Sequence, residues 1–268
     1  VIQGAAVLTF VLNLVALWKQ EGRSEAVVSE ATERPAFADT WREFLERPNT
    51  ARLLVAIGLG TAAFSMQDAL LEPFGGEILG MSVGATTSLT GGWALGALLG
   101  FMLAARVLGR GGNPLRMAGF GAVAGISAFA MVIFAAPLGV PGLLYTGAMS
   151  IGLGVGLFSV GTMVAAMALA REGAAGLALG AWGAVQATSA GLGIALGGLI
   201  RDFTTAFAMA DGLGSTLAVR STGYGLVYTI EILLLLGTLV VLGPLVGRDR
   251  PEELDGHLGR FGLQEFPT

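Results

Sequence analysis

The chain has no cysteine and a single histidine, His257, which sits in its polar C-terminal tail. The first absence excludes disulfides and thiolate metal sites. The second excludes a metal or haem held by histidine among buried helices. Charge is also scarce: Asp, Glu, Lys and Arg make up 13% of the 268 residues, against about 25% in an average soluble domain. Much of the surface must therefore face something other than water. Nothing in the chain points to an enzyme. It offers no Ser–His–Asp or Cys–His set and no ATP-binding loop, and its glycine patterns lack the preceding strand of a dinucleotide fold. No basic face suits nucleic acid. The net charge of −4 says little, because in a membrane the distribution of charge matters more than its sum.

What is abundant is apolar. Hydrophobic residues reach 54%, mean hydropathy is +0.74, and several continuous runs are long enough to cross about 30 Å of hydrocarbon. A membrane β-barrel would alternate apolar and polar residues instead. The pattern predicts an all-α integral membrane protein of about seven transmembrane helices, near 1–18, 51–71, 82–108, 115–136, 142–168, 176–200 and 222–245. Val1–Trp18 is expected to be the end of a helix whose upstream chain is absent, since it has neither a basic leader nor a cleavage site. A polar inter-helix loop follows over 19–50, then a six-helix bundle over 51–245 and a tail over 246–268. Within the loop, Phe37, Trp41, Phe44 and Leu45 recur at helical spacing between Asp39, Arg42, Glu43 and Glu46. That pattern suits either a short amphipathic helix on the membrane surface or a solvated linker. One helix, a long loop and six helices is the layout of the second, C-terminal half of a twelve-helix transporter fold.

Glycine is the second abundance, at 43 residues. Many lie four apart within spans: Gly92-Gly96-Gly100, Gly121-Gly125, Gly152-Gly156, Gly176-Gly180 and Gly193-Gly197. Small residues at that spacing let helix backbones approach closely in lipid. The expectation is helix–helix contact within the bundle, with a flat face for a partner helix or planar ligand as the other reading.

Ionisable groups inside the spans stand out, because a charge at a helix centre costs about 2.5–3.5 kcal/mol on insertion scales. Glu231 lies near the midplane of the last span, with Tyr224 and Tyr228 on the same face. It reads either as a functional carboxylate or as a neutral structural one, hydrogen-bonded to Tyr228, Gln186 or a ligand. Asp68 and Glu72, four apart, could share a proton or receive a cation, though a pair at a helix end is more often simply solvated. Pro73 with Gly75-Gly76 is expected to stop that helix. Gln186, beside Trp182, is a candidate for an interhelical hydrogen bond or a ligand contact. No metal cluster is apparent.

The stretch Gln67-Asp-Ala-Leu-Leu-Glu-Pro-Phe-Gly-Gly-Glu-Ile-Leu-Gly-Met-Ser-Val-Gly-Ala-Thr-Thr87 closely resembles the PucC family of the major facilitator superfamily. Gly156–Thr162, Leu179–Thr188 and Gly223–Tyr228 followed by Glu231 are similar to it too. The superfamily's cytoplasmic Gly-Asp-Arg signature survives only as Arg106-Val-Leu-Gly-Arg110 with Asn113 and Arg116, without an acidic partner. The resemblance implies a membrane factor that assists assembly of bacterial light-harvesting antennae and handles bacteriochlorophyll, in the bacterial inner (intracytoplasmic) membrane. Its partners would be antenna polypeptides or the photosynthetic core complex, within the lipid bilayer. A pigment site would need a flat apolar slot, for which Trp93, Trp182 and Phe158 are candidates. It would also need an oxygen ligand for magnesium. Glu231, Gln186, Trp182, Tyr228 and Trp93 are therefore the candidate pigment residues, and Asp68 and Glu72 the candidate proton or cation site. Two alternatives stand beside this reading: a proton-coupled transporter of a small solute, and a stable accessory subunit of the photosynthetic core.

Assigning alternate loops to opposite sides puts Lys19, Arg23, Arg34, Arg42, Arg47, Arg52, Arg106, Arg110, Arg116, Arg171, Arg248, Arg250 and Arg260 together, leaving only Arg201 and Arg220 opposite. The basic side is cytoplasmic by the positive-inside rule. The long loop and the C-terminus are thus expected in the cytoplasm, and Glu72, Glu77 and the 201–221 loop on the other side. A cysteine introduced at Ala31 should react with a membrane-impermeant thiol reagent only when the cytoplasmic face is open. Labelling from the periplasm alone would overturn the orientation.

Overall fold

A computed structural model of the chain describes residues 11, 37–47, 49–168, 175–210, 212, 214 and 217–246. The chain divides between Glu43 and Phe44 into two compact units. Helix α1, Phe37–Glu46, runs across that division. The stretch is helical; of its apolar set Phe44 is buried, whereas Leu45 is exposed together with Arg42, Glu43 and Glu46. The expected span at 1–18 and the tail after 246 lie outside the described residues.

The second unit is a helical bundle. Its elements are α2 (Thr50–Met66), a 3-10 turn (Gln67–Ala69), α3 (Leu71–Glu77), α4 (Val83–Leu108), α5 (Pro114–Leu138), α6 (Pro141–Ala168), α7 (Ala175–Met209) and α8 (Ser221–Val246). Counting α2 with α3 as one, six helices among the described residues are long and apolar enough to cross a membrane. No strand occurs among the described residues. The chain is an all-α, multi-pass membrane protein.

Helix ends follow local chemistry. Ser82 caps α4 by accepting from the Ala85 amide at 3.3 Å. Asn113 caps α5 by accepting from the Arg116 amide at 2.9 Å, with Pro114 in the first helical position, where its missing N–H costs nothing. Gly139 ends α5 at φ 61°, a left-handed turn that suits glycine, and Pro141 opens α6.

Two boundaries differ from the sequence expectation. Pro73 and Gly75-Gly76 do not stop the helix. The chain bends earlier, through the 3-10 turn, and α3 then runs through Pro73 to Glu77. Proline is tolerated there because the first turn of a helix has no intrahelical acceptor for its N–H groups. Helix α7 also continues past 200 to Met209, so Arg201 is helical rather than part of a loop. At 35 residues it is about 52 Å long, well beyond the hydrocarbon core.

Glycine sets the packing. A Cβ on Gly152 would lie 2.0 Å from the Trp93 carbonyl oxygen, and one on Gly96 would lie 1.9 Å from that of Met149. Gly100 and Gly156 face each other one turn on, so α4 and α6 meet backbone to backbone. On α6's other side, Gly154 meets Gly121, and Gly161 meets Pro114 and Ala118, both on α5. Gly193 and Gly197 seat α7 against Ala62 and Met66 of α2. Gly92, Gly176 and Gly180 contradict the expected helix contact: they face open space. Spacing shows that a helix has a small face, not that a neighbour covers it.

Gly152→Ala is expected to destabilise the bundle by about 1–3 kcal/mol through overpacking, read as a fall in thermal unfolding temperature in detergent. Gly92→Ala should stay within about 0.5 kcal/mol. Equal effects at the two positions would contradict this packing.

Candidate ligand cavity and buried polar groups

Four helices line a partly open cavity of about 470 Å³, within the roughly 300–1,000 Å³ range of small-molecule sites. From α2 and the 3-10 turn come Thr61, Phe64, Ser65 and Asp68; from α4, Trp93; from α6, Val155, Phe158 and Ser159. Helix α7 adds Trp182, Gly183, Gln186, Ala187 and Ala190. Five sequence candidates therefore meet here: Asp68, Trp93, Phe158, Trp182 and Gln186. Three stretches that carry the family resemblance also converge on it, through Asp68, through Phe158 and Ser159, and through Trp182 to Ala187. Sequence reasoning missed Thr61, Phe64 and Ser159, which have neither charge nor unusual size to mark them.

The walls are aromatic and the polar groups few. Trp182 Nε1 donates to Thr162 Oγ1 at 3.2 Å, tying α7 to α6. Trp93 Nε1 and Thr61 Oγ1 are buried atoms without a hydrogen-bond partner. Gln67 donates to the Phe64 carbonyl at 3.3 Å and to Asp68 Oδ1, steadying the turn that carries Asp68. Glu72 is not in the lining. It accepts from Thr90 across to α4, so the structure assigns the two acids to different surroundings.

Glu231 and Tyr228 lie outside the cavity lining and are fully buried. The hydrogen bond expected between Glu231 and Tyr228 or Gln186 is not made: both Glu231 carboxyl oxygens and the Tyr228 hydroxyl lack a partner. Tyr228 packs between Phe129, at 6.3 Å between ring centroids, and Phe74, at 5.6 Å. Phe129 neighbours Phe64, and Phe64 neighbours Phe158 at 5.8 Å. A continuous aromatic seam thus runs from the cavity wall to the Glu231 region.

That seam continues from Phe74 to Tyr224, at 5.3 Å, and ends at a polar cluster. Arg201 donates to Glu77 at 2.9 Å, to Asp202 at 2.6 Å and to the Tyr224 hydroxyl. Tyr224 donates in turn to Glu77 at 3.0 Å, and the guanidinium sits 4.5 Å from the Tyr224 ring centroid. The cluster joins α3, α7 and α8. Its only advance signal was that Glu77 and Arg201 were assigned to the same membrane face.

A family model described as PUCC protein matches residues 1–250. The chain belongs to the PucC family. A Rhodovulum sulfidophilum relative called Protein PucC is 54% identical over 75% of this chain and 45% of its own length. A Rhodobacter capsulatus protein described by its puhA-bchM intergenic location is 47% identical over 100% of this chain and 57% of its own. A third relative, the 44.5 kDa chain of bacteriochlorophyll synthase from Rhodobacter capsulatus, is 30% identical over 89% of this chain and 54% of its own. This chain spans about half the length of the curated relatives it matches. No solved structure matches it.

Tyr224→Phe removes one donor to Glu77 and one acceptor for Arg201 while keeping the ring. It is expected to cost about 1–2 kcal/mol, measured by thermal unfolding in detergent. No loss would show that the cluster does not hold α8 to α3 and α7.

Proposed function

We propose that this PucC-family bundle belongs to an assembly factor for bacterial light-harvesting complexes in the inner (intracytoplasmic) membrane, and that it binds bacteriochlorophyll rather than catalysing a reaction. The observation that carries the reading is the α2–α4–α6–α7 cavity, which combines flat aromatic walls with a small set of oxygen groups. Phe64, Phe158, Trp93 and Trp182 would provide the walls. Asp68 and Gln186 carry the oxygens suited to magnesium, a hard cation that prefers such ligands. The unpartnered Trp93 Nε1 and Thr61 Oγ1 would donate to carbonyl groups at a ring periphery. Bound there, the pigment supplies a magnesium macrocycle for antenna polypeptides. Names borne by the relatives, PucC and a bacteriochlorophyll synthase chain, support the pigment class.

Antenna polypeptides or the core complex would be met through apolar helix faces within the bilayer. Chain purified in mild detergent from pigment-producing cells should carry a bacteriochlorophyll absorption band. The double change Asp68→Leu with Gln186→Leu should reduce that band roughly tenfold at equal protein, equivalent to about 1.4 kcal/mol of affinity. A pigment-free wild type, or a double variant with full pigment, would sink the reading. Persistence of the chain in mature core complexes would favour a resident subunit over a transient assembly factor.

A further inference from the structure

Helix α7 outruns its neighbours at one end. Its Arg201 is held level with Glu77, the last residue of α3, and with Tyr224, near the start of α8. From that level α8 extends back only three residues, to Ser221, whereas α7 continues eight residues to Met209, about 12 Å further. The inner face of this extension is packed. Ala208 is buried, and a Cβ on Gly223 of α8 would lie 2.2 Å from Thr205 Oγ1. Helices α7 and α8 therefore stay in contact past Arg201.

The outer face is apolar throughout. Leu192, Leu196, Leu199, Phe203 and Phe207 follow one another at helical spacing and are all exposed, which places them on one side of the helix within about 80° of arc. Arg201 lies about two and a half turns beyond Leu192, on the opposite side, so its charged cluster does not interrupt the stripe. Phe203 is 75% exposed, and its ring lies parallel to that of Phe207, with centroids 6.4 Å apart. No charged residue occurs from Phe203 to Ala210. An exposed apolar patch of this kind marks a membrane or a protein contact. Two observations favour lipid. The stripe continues, without a polar break, the outer side of a helix that itself spans the membrane, whereas protein-docking patches are characteristically rimmed by polar groups. Asp202, the charged residue beside it, is paired with Arg201 at 2.6 Å. Length agrees: α7, at about 52 Å, exceeds the roughly 40–45 Å of a bilayer with its headgroups, and an overlong helix is accommodated by tilting.

We propose that the Asp202–Met209 end of α7 is a lipid anchor, its Phe203–Phe207 stack seated in the headgroup and acyl boundary of the leaflet on that side. The stack then covers the outer side of the Arg201 cluster and fixes the depth of this end of α7. The anchor is independent of the pigment cavity, and its test needs no pigment.

The absence of cysteine allows one spin label at one position. Chains carrying Phe203→Cys or Phe207→Cys, labelled and reconstituted in phosphatidylcholine vesicles with no other protein, should hold the label about 5–10 Å below the headgroup surface. Depth is read from collisions with oxygen against those with an aqueous nickel chelate, and Leu199→Cys gives the deeper reference. Labels that meet the nickel chelate as freely as a label in buffer overturn the anchor. Labels shielded in native membranes but open to water in the vesicles show a protein occupant, which overturns it equally. Should either variant fail to fold, Phe203→Trp keeps an aromatic ring and is read by fluorescence against the unsubstituted chain. The added emission should be quenched by brominated lipid; quenching by aqueous acrylamide alone overturns the proposal.

Discussion

The bundle depends on one constraint: in lipid, apolar side chains gain nothing by leaving the solvent, so helices are held by how closely their backbones meet. Helix α6 answers it on two faces at once. Gly152 and Gly156 bring α4 against it, and Gly147, Gly154 and Gly161 bring α5. Sandwiched this way, α6 turns its bulk elsewhere. Phe158 fills the space left by Gly60 of α2, where a Cβ would lie 2.3 Å from the ring. That ring is also a wall of the cavity. The close packing and the candidate site are therefore one arrangement.

Much of this was legible in the sequence, and the exceptions have a common cause. Unbroken apolar runs located the six spans, four of them within a few residues at both ends, because the bilayer fixes a helix's length; the first runs on to Glu77 and α7 to Met209. Gly96, Gly100, Gly152 and Gly156 were legible as close-contact positions; Gly92, Gly176 and Gly180 misled, because periodicity describes one helix and contact needs two. Asp68, Trp93, Trp182 and Gln186 were recognisable singly as polar or large groups within spans, yet nothing local said that they share a cavity. The Arg201–Glu77–Tyr224 cluster joins residues 124 and 147 positions apart, a pairing that only helix adjacency decides. The bend before Pro73 escaped notice because proline's helix-breaking effect depends on its place in the turn.

Polar groups fall into two regimes. At the cavity wall, Asp68 and Gln186 can meet a ligand, and the cost of placing them in the membrane is offset when they do. Behind the aromatic seam, Glu231 and Tyr228 meet nothing. Buried polar groups left without partners weaken a fold, and here Tyr228 sits among the aromatic contacts of Phe74 and Phe129.

The cavity is also unevenly walled. Helices α2 and α6 are the most buried of the six, while α4 and especially α7 are the least. At its Met209 end α7 is fixed by Gly193 and Gly197 against α2, by Gly223 of α8 against the Arg201 carbonyl, and by the Arg201 cluster. Toward its Ala175 end the described contacts include the Trp182–Thr162 hydrogen bond, Val185 and Ser189 beside Gly58 of α2 and the small buried faces of Ala178 and Ala181. A neutral hydrogen bond contributes about 1 kcal/mol net, less than a charged multi-helix cluster. Among the described residues, widening the cavity from the Ala175 end therefore breaks fewer polar contacts than widening it from the other. Trp182 and Gln186, on that same segment, are the lining residues whose positions such a movement would change most.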